Sequence, residues 1–265
     1  MKKVFVGFLL FTSLSGFSQV KLQKDQNMTA KMQVDQSVDV EVQGTPVNTK
    51  IDVTLGFSAK VDQVTPDGYH IVGKITHVKT VMKAMGIEKT IDSDNTDNDA
   101  EAQEQIKTVM DQKLAGKVIA ATGEFIPDED VVDNQGMPGL DSQSPSGVFS
   151  TVFFAIPKDK KSGSTWTATT NIDNTPTMFN YTFDKVEGDV TRISFTQKTP
   201  IKKKINQGGM EMDADLVVEG KGYMLVNKSG IVTKRVMEAT NIGTMDMQGM
   251  KMDLKGTINT DTTVF

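Results

Sequence analysis

From Met28 to Val42 the chain alternates residue by residue. The even positions read Met28, Ala30, Met32, Val34, Gln36, Val38, Val40 and Val42, and every odd position between them is polar. After Gln43-Gly44-Thr45-Pro46 the rhythm resumes, with Ile51, Val53, Leu55, Phe57, Ala59 and Val61 set against Asp52, Thr54, Ser58, Lys60 and Asp62. Successive side chains of a strand point to opposite faces, so a period of two sustained this long specifies strands with one dry and one wet face. Such strands belong in an antiparallel sheet whose dry face covers something apolar. The pattern fixes architecture and leaves the chemistry open.

Residues 1–18 read as a leader outside the fold. Lys2 and Lys3 precede the apolar run Val4 to Phe11, and Ser13, Ser15, Gly16 and Ser18 supply the small residues that a signal peptidase needs. The run is shorter than the roughly 20 residues of a permanent membrane span. Cleavage after Ser18 is expected, leaving the mature chain periplasmic or extracellular. The chain has no cysteine, which excludes an acylated lipoprotein terminus and any disulfide. No second apolar run reaches spanning length, so no transmembrane segment is expected in the mature chain. The formal net charge is −5, and the basic run Lys202-Lys203-Lys204 is short. It reads as a solvated strand edge or hairpin end, so no nucleic-acid partner is expected.

Further along, Pro66-Asp67-Gly68 is a turn signal, and Gly68 to Ile75 reads as a third strand. Val81 to Ile91 reads as more strand, turning or bulging at Gly86, and Asp92 to Asp99 as an acidic loop. A helix is expected over about 100–114. Asn98 and Glu101 resemble a capping box, Gly116 stands where the helix would stop, and Ala102, Ile106, Val109, Met110 and Leu114 share the face that packs on the sheet. Val118 to Phe125 is another strand. Residues 127–147 form a Pro-, Gly-, Asp- and Ser-rich connection, followed by the apolar segment Val148 to Ile156 and a turn at Lys158 to Ser164. Strands then run from Trp166, a core anchor, to the C-terminus.

The expected fold is mainly β: a single domain over 19–265, built as one large curved antiparallel sheet or half-barrel with one main helix on its concave side. Its halves, 19–126 and 148–265, share a scheme of strand, tight acidic-glycine turn and strand, seen at Gly56 to Ile75 and at Asn180 to Phe195. An ancestral duplication and an ordinary β-meander both account for that.

Methionine is the unusual component, with 16 residues. Met210 and Met212 open an alternating stretch with Ala214, Leu216 and Val218. Met245 and Met247 precede Gln248-Gly249, and Met250 and Met252 follow it. A two-residue hairpin loop there sets Met247 against Met250 and Met245 against Met252. Three readings fit these six positions: a sheet face filled with flexible side chains, an adaptable wall around a hydrophobic or lipid-like ligand, and a soft site for Cu(I).

Conventional catalytic patterns are missing. The only histidines, His70 and His77, are seven apart and fall on opposite faces of a regular strand, with His77 on the face of Tyr69, Ile71 and Ile75. That disfavours a zinc hydrolase. The serine-hydrolase elbow, the P-loop and the dinucleotide fingerprint are absent. Gly220-Lys221-Gly222 reads as a strand irregularity. The run Asp92 to Asp99 fails the calcium-loop template, because counting from Asp92 places Asp97 where glycine belongs. Asp128-Glu129-Asp130 and Asp133 form a second acidic loop. No catalytic residue, metal site or cofactor is assigned.

The run Met82 to Asp94, the segment Leu114-Ala115-Gly116-Lys117, Pro157 to Trp166, Tyr181 to Phe195 and the glycine-punctuated stretch through Asp253 resemble, in that order, an uncharacterised family of exported β-rich bacterial proteins. The resemblance implies secretion and a β-rich fold, and it carries no activity or site residues. The acidic stretch Glu124 to Asp133 departs from it. Two function classes follow: non-catalytic binding of a hydrophobic small molecule or lipid on the methionine-bearing face, or an interaction module with a filled core that recruits an envelope protein partner. Cu(I) binding is a minor third.

Overall fold

In a computed structural model of the chain, residues 19–42, 45–129, 149–172, 175–207, 210–247 and 250–265 are described. The expected leader and most of the 127–147 connection lie outside them. The two alternating runs become β1 (Asn27–Val42) and β2 (Thr45–Thr65), paired antiparallel with Val34 opposite Val53. They are followed by β3 (Gly68–Ala84), β4 (Ile87–Asp92), α1 (Ala100–Met110), β5 (Leu114–Ile119) and β6 (Phe125–Pro127). The second part of the chain supplies β7 (Thr165–Ile172), β8 (Thr175–Glu187), β9 (Val190–Gln207), β10 (Met210–Asn227), β11 (Val232–Met247) and β12 (Met250–Val264).

Among the described residues these strands form one 12-stranded sheet in the order β6-β5-β3-β2-β1-β12-β11-β10-β9-β8-β7, with β4 beside β3. The ends of the order, β6 and β7, do not pair, so the sheet stays open. The antiparallel β1–β12 pair joins the first and last strands at its centre and leaves each part of the chain as one wing.

Inner and outer faces follow the alternation. On β9, β10 and β11 the outer face carries cross-strand ion pairs: Lys202 to Asp215 at 3.0 Å, Lys198 to Glu219 at 2.8 Å and Lys221 to Glu238 at 3.8 Å. Exposed pairs of this kind are worth little, about 0–1 kcal/mol each, but they keep that face wet. On the inner face glycines allow close approach. A Cβ on Gly222 would lie 2.0 Å from the Val236 carbonyl oxygen and 3.0 Å from the Phe195 ring, and one on Gly243 would lie 2.1 Å from the Asp215 carbonyl. Side chains there would hold the backbones apart, and glycine lets the wing bend tightly.

Two segments close one end of the curved sheet, here called the base. Val20 donates its N–H to Ala120 O at 2.8 Å, and Lys21 donates to Ser229 O at 2.9 Å. They thereby tie the β5–β6 turn to the β10–β11 turn. The segment 149–156 crosses beside them. Phe149 packs on Phe57 and Phe125, with ring centres 6.2 and 5.6 Å away, and Phe154 packs on Tyr181 at 5.0 Å. Trp166 stacks on Tyr181 at 5.3 Å and, half-buried, anchors that end of the core. Ala102 and Val109 of α1 join the same core with Ile91.

Several local expectations change. The helix stops at Met110, and its N-cap is Asp99, whose carboxylate accepts from Ala102 N at 2.7 Å. Leu114 instead opens β5, paired with Gly73, and Gly116 sits inside that strand. Pairing with the exposed edge of β3 buries Leu114 better than another helical turn would, and tertiary packing overrides the local period. Gly86 is a turn: Met85 and Gly86 both have positive φ, 51° and 78°, as a tight two-residue hairpin requires. The expected strand from Val118 to Phe125 divides into β5 and β6 around the turn between them.

Candidate functional site

On β1, β2 and β10 the inner face opens from base to mouth, whereas it stays buried on β12 from Val264 to Leu254 and on β11 from Arg235 to Asn241. On β2, Phe57, Leu55 and Val53 are buried while Ile51 is half-buried; on β1, Met32 and Val34 give way to Val38 and Val40. On β10, Met224 is buried, and Gly222, Gly220, Val218 and Leu216 are half-buried. Among the described residues the base is packed. A gap between Phe57, Phe149, Val152 and Val264 measures about 10 Å³, room for about one water.

The six methionine positions lie at the mouth. The register sets Met212 opposite Met247, Met247 opposite Met250, and Met245 opposite Met252. Of the six, Met245 and Met252 have described side chains, and both lie on the inner face. Met245 and Met252 are half-buried. Gln248 and Gly249 lie outside the described residues. The thioethers of Met245 and Met252, on paired positions, suit an adaptable apolar wall or a soft cation alike.

Sequence reasoning missed Arg235. The chain holds only two arginines, Arg192 and Arg235. Arg192 is on the outer face, 3.4 Å from Asp184, with its guanidinium 3.8 Å from the Tyr223 ring centre. Tyr223 also lines an open hollow of about 480 Å³ that includes Asn180, Thr196 and Lys221. Arg235 is on the inner face, 8% exposed, opposite Met224 and Thr262. Its guanidinium reaches across β10 to lie 4.1 Å from the Phe195 ring centre and 5.9 Å from that of Phe179. Gly222, opposite Phe195, leaves the space for that crossing. No carboxylate among the described residues pairs with Arg235, and burial pushes its pKa down. Burial likewise pushes the neighbouring Tyr181 hydroxyl up to about 12. Two inner-face polar atoms on the mouth side, Thr260 Oγ1 and Asn241 Oδ1, are buried without a hydrogen-bond partner.

The histidines occupy separate sites. A bulge leaves Thr76 unpaired, with Gly56 opposite His77 and Phe57 opposite Ile75. The extra residue turns His77 outward, away from the face of Ile71 and Ile75 where simple alternation placed it. His70 Nε2 lies 3.0 Å from Asp128, and His77 Nδ1 lies 3.3 Å from Asp94 and 3.2 Å from Ser93 Oγ. Ligand atoms of His77, Asp92 and Asp94 come within 4.8 Å of one another. The Lys79 ammonium, 3.0 Å from Asp92, already balances one of those carboxylates.

With this geometry in hand, comparison places the chain among known proteins. Residues 138–232 match the model of a family of unknown function, DUF6263. The match agrees with the resemblance read from the sequence and extends to no activity. No curated protein matches the chain. Among solved structures, one of lipovitellin, described by its lipid–protein interactions, superposes with a TM-score of 0.54 at 9% identity, covering 92% of this chain and 25% of that one. The chain thus spans about a quarter of that protein's length, and the likeness is one of fold. An outer-membrane channel from Pseudomonas putida F1 aligns over 93% of this chain and 98% of its own, at 7% identity and a TM-score of 0.23. Among the described residues, no helix is long and apolar enough to cross a membrane.

Proposed function

We propose that the protein binds a hydrophobic, lipid-like molecule without catalysis, holding it against the mouth half of the inner face, and that it does so outside the cytosol after cleavage at Ser18. One observation carries this reading: among the described residues the apolar face outruns its cover on β1, β2 and β10, although Leu254 and Ala214 beside it are buried. Val38, Val40, Ile51, Leu216, Val218 and Met245 continue the inner pattern of the buried core, yet they are half-buried. Covering such surface with an acyl chain is favourable by roughly 25 cal/mol per Å². Methionines at the rim adapt to chains of varied shape. The fold likeness to lipovitellin is consistent with a trough suited to lipid, although fold alone does not transmit function. Packing is already engaged at Val20, two residues beyond the proposed cleavage point, which supports Gln19 as the mature start.

The test is organic extraction of the purified mature protein, followed by titration with a fluorescent fatty acid. Co-purifying lipid or saturable one-to-one uptake is expected. Neither appearing would overturn the reading. The filled base supports a second reading, an interaction module for an envelope protein. A stable complex pulled from cell envelopes by a protein that takes up no fatty acid would favour it instead.

A further inference from the structure

A guanidinium enclosed on an apolar sheet face normally carries a carboxylate with it, because an unpaired buried charge is expensive. Arg235 has only aromatic rings. The Phe195 face offers quadrupole attraction, which offsets part of the lost hydration without neutralising the charge. The Arg235 side chain crosses β10 over Gly222, and the Phe195 ring fills the rest of that space, 3.0 Å from where a Cβ on Gly222 would sit. Gly222 lies between Phe195 and Met237 in one row across the sheet, and the next inner positions toward the mouth, Gly220 and Gln197, are half-buried. On its β9–β10 side Arg235 therefore stands where half-buried positions begin, while Met237, Ala239 and Asn241 on its own strand stay buried.

We infer that Arg235 receives the anionic head of the bound amphiphile, a carboxylate, with the tail running along the inner face of β10 toward the methionine rim. This rests on the lipid-binding reading and gives that ligand a polarity and a direction. A guanidinium suits the head because its planar donors match a carboxylate in two parallel hydrogen bonds. The tail track fits as well. From Gly222 to Leu216, six residues of strand cover about 20 Å, the span of a long acyl chain. The charge of Arg235 is then compensated only in the complex, which favours a charged amphiphile over a neutral one of the same length.

The experiment compares palmitate, hexadecanol and acetate as competitors for a fluorescent fatty acid on the mature protein and on Arg235→Met and Arg235→Lys. Expected is at least tenfold tighter binding of palmitate than of hexadecanol by the unaltered protein, with acetate ineffective. Arg235→Met should lose that tenfold preference, and Arg235→Lys should keep part of it. Equal binding of palmitate and hexadecanol by the unaltered protein overturns the inference and leaves lipid binding standing. It needs no variant to fold. Acetate competing as well as palmitate also overturns it, because the site would then serve a free anion. If neither long-chain compound binds, both proposals fall.

Discussion

The guanidinium of Arg235 lies 4.1 Å from the centre of the Phe195 ring, on the dry face of the sheet and without an acidic partner among the described residues. An arrangement kept for stability alone would have little reason to retain the charge. Replacing a buried ionic group with a well-packed apolar one of similar size is commonly neutral or stabilising.

Arg235→Met is therefore expected to melt no lower than the unaltered protein when both are free of ligand. Thermal unfolding followed by circular dichroism checks this. A loss of several degrees would make the guanidinium a structural contributor through its aromatic contacts.

Tyr181 supplies a pH dependence. Burial raises its pKa from 10.0 to about 12. The unfolded chain releases this proton first, so the stabilisation is complete below pH 10 and is lost as pH rises toward 12. At about 1.4 kcal/mol per unit, roughly 2–3 kcal/mol disappears over that interval. The difference in ultraviolet absorbance titration between the unaltered protein and Tyr181→Phe should show the missing phenol ionising near 12. A phenol lost near 10 would mean that the aromatic cluster admits water.

The base depends on Phe149, 4% exposed and wedged between Phe57 and Phe125. Phe149→Ala removes a ring from the segment that fills the base, and a cost of about 3–5 kcal/mol is expected. Urea unfolding measures it through the shift in midpoint at unchanged slope. A cost below about 1 kcal/mol would show that the segment is dispensable for closure.

The parts of the fold that were legible in the sequence are those set by long, clean repetition. β1 and β2 follow from long alternating runs, Met28 to Val42 and Ile51 to Asp62, because a one-residue slip would expose every apolar side chain at once. The pairing of Met245 with Met252 needed only a two-residue loop. Elsewhere the signal was local and the cause distant. Leu114 satisfies a helical spacing as well as a strand edge, and only the free edge of β3 decides between them. The bulge at Thr76 adds a residue that no periodicity reveals, and it moves His77 to the other face. Arg235 was hidden for a related reason. Val236 and Met237 are apolar on both faces, so the parity of that stretch emerges only when Met224 and Thr262 pair beside it. A rare arginine two residues from Met237 and four from Ala239 was the available clue.

The central claim is that a hydrophobic chain lies on the mouth half of the inner face, above a base that is already full. Methionine-methyl NMR reports on both ends of that face in one titration, since Met28 and Met32 are buried in the base and Met245 and Met252 are half-buried at the mouth. On addition of palmitate, the Met245 and Met252 methyl signals should shift and saturate while those of Met28 and Met32 stay in place. Shifts confined to Met28 and Met32, or no shift anywhere, would contradict the account.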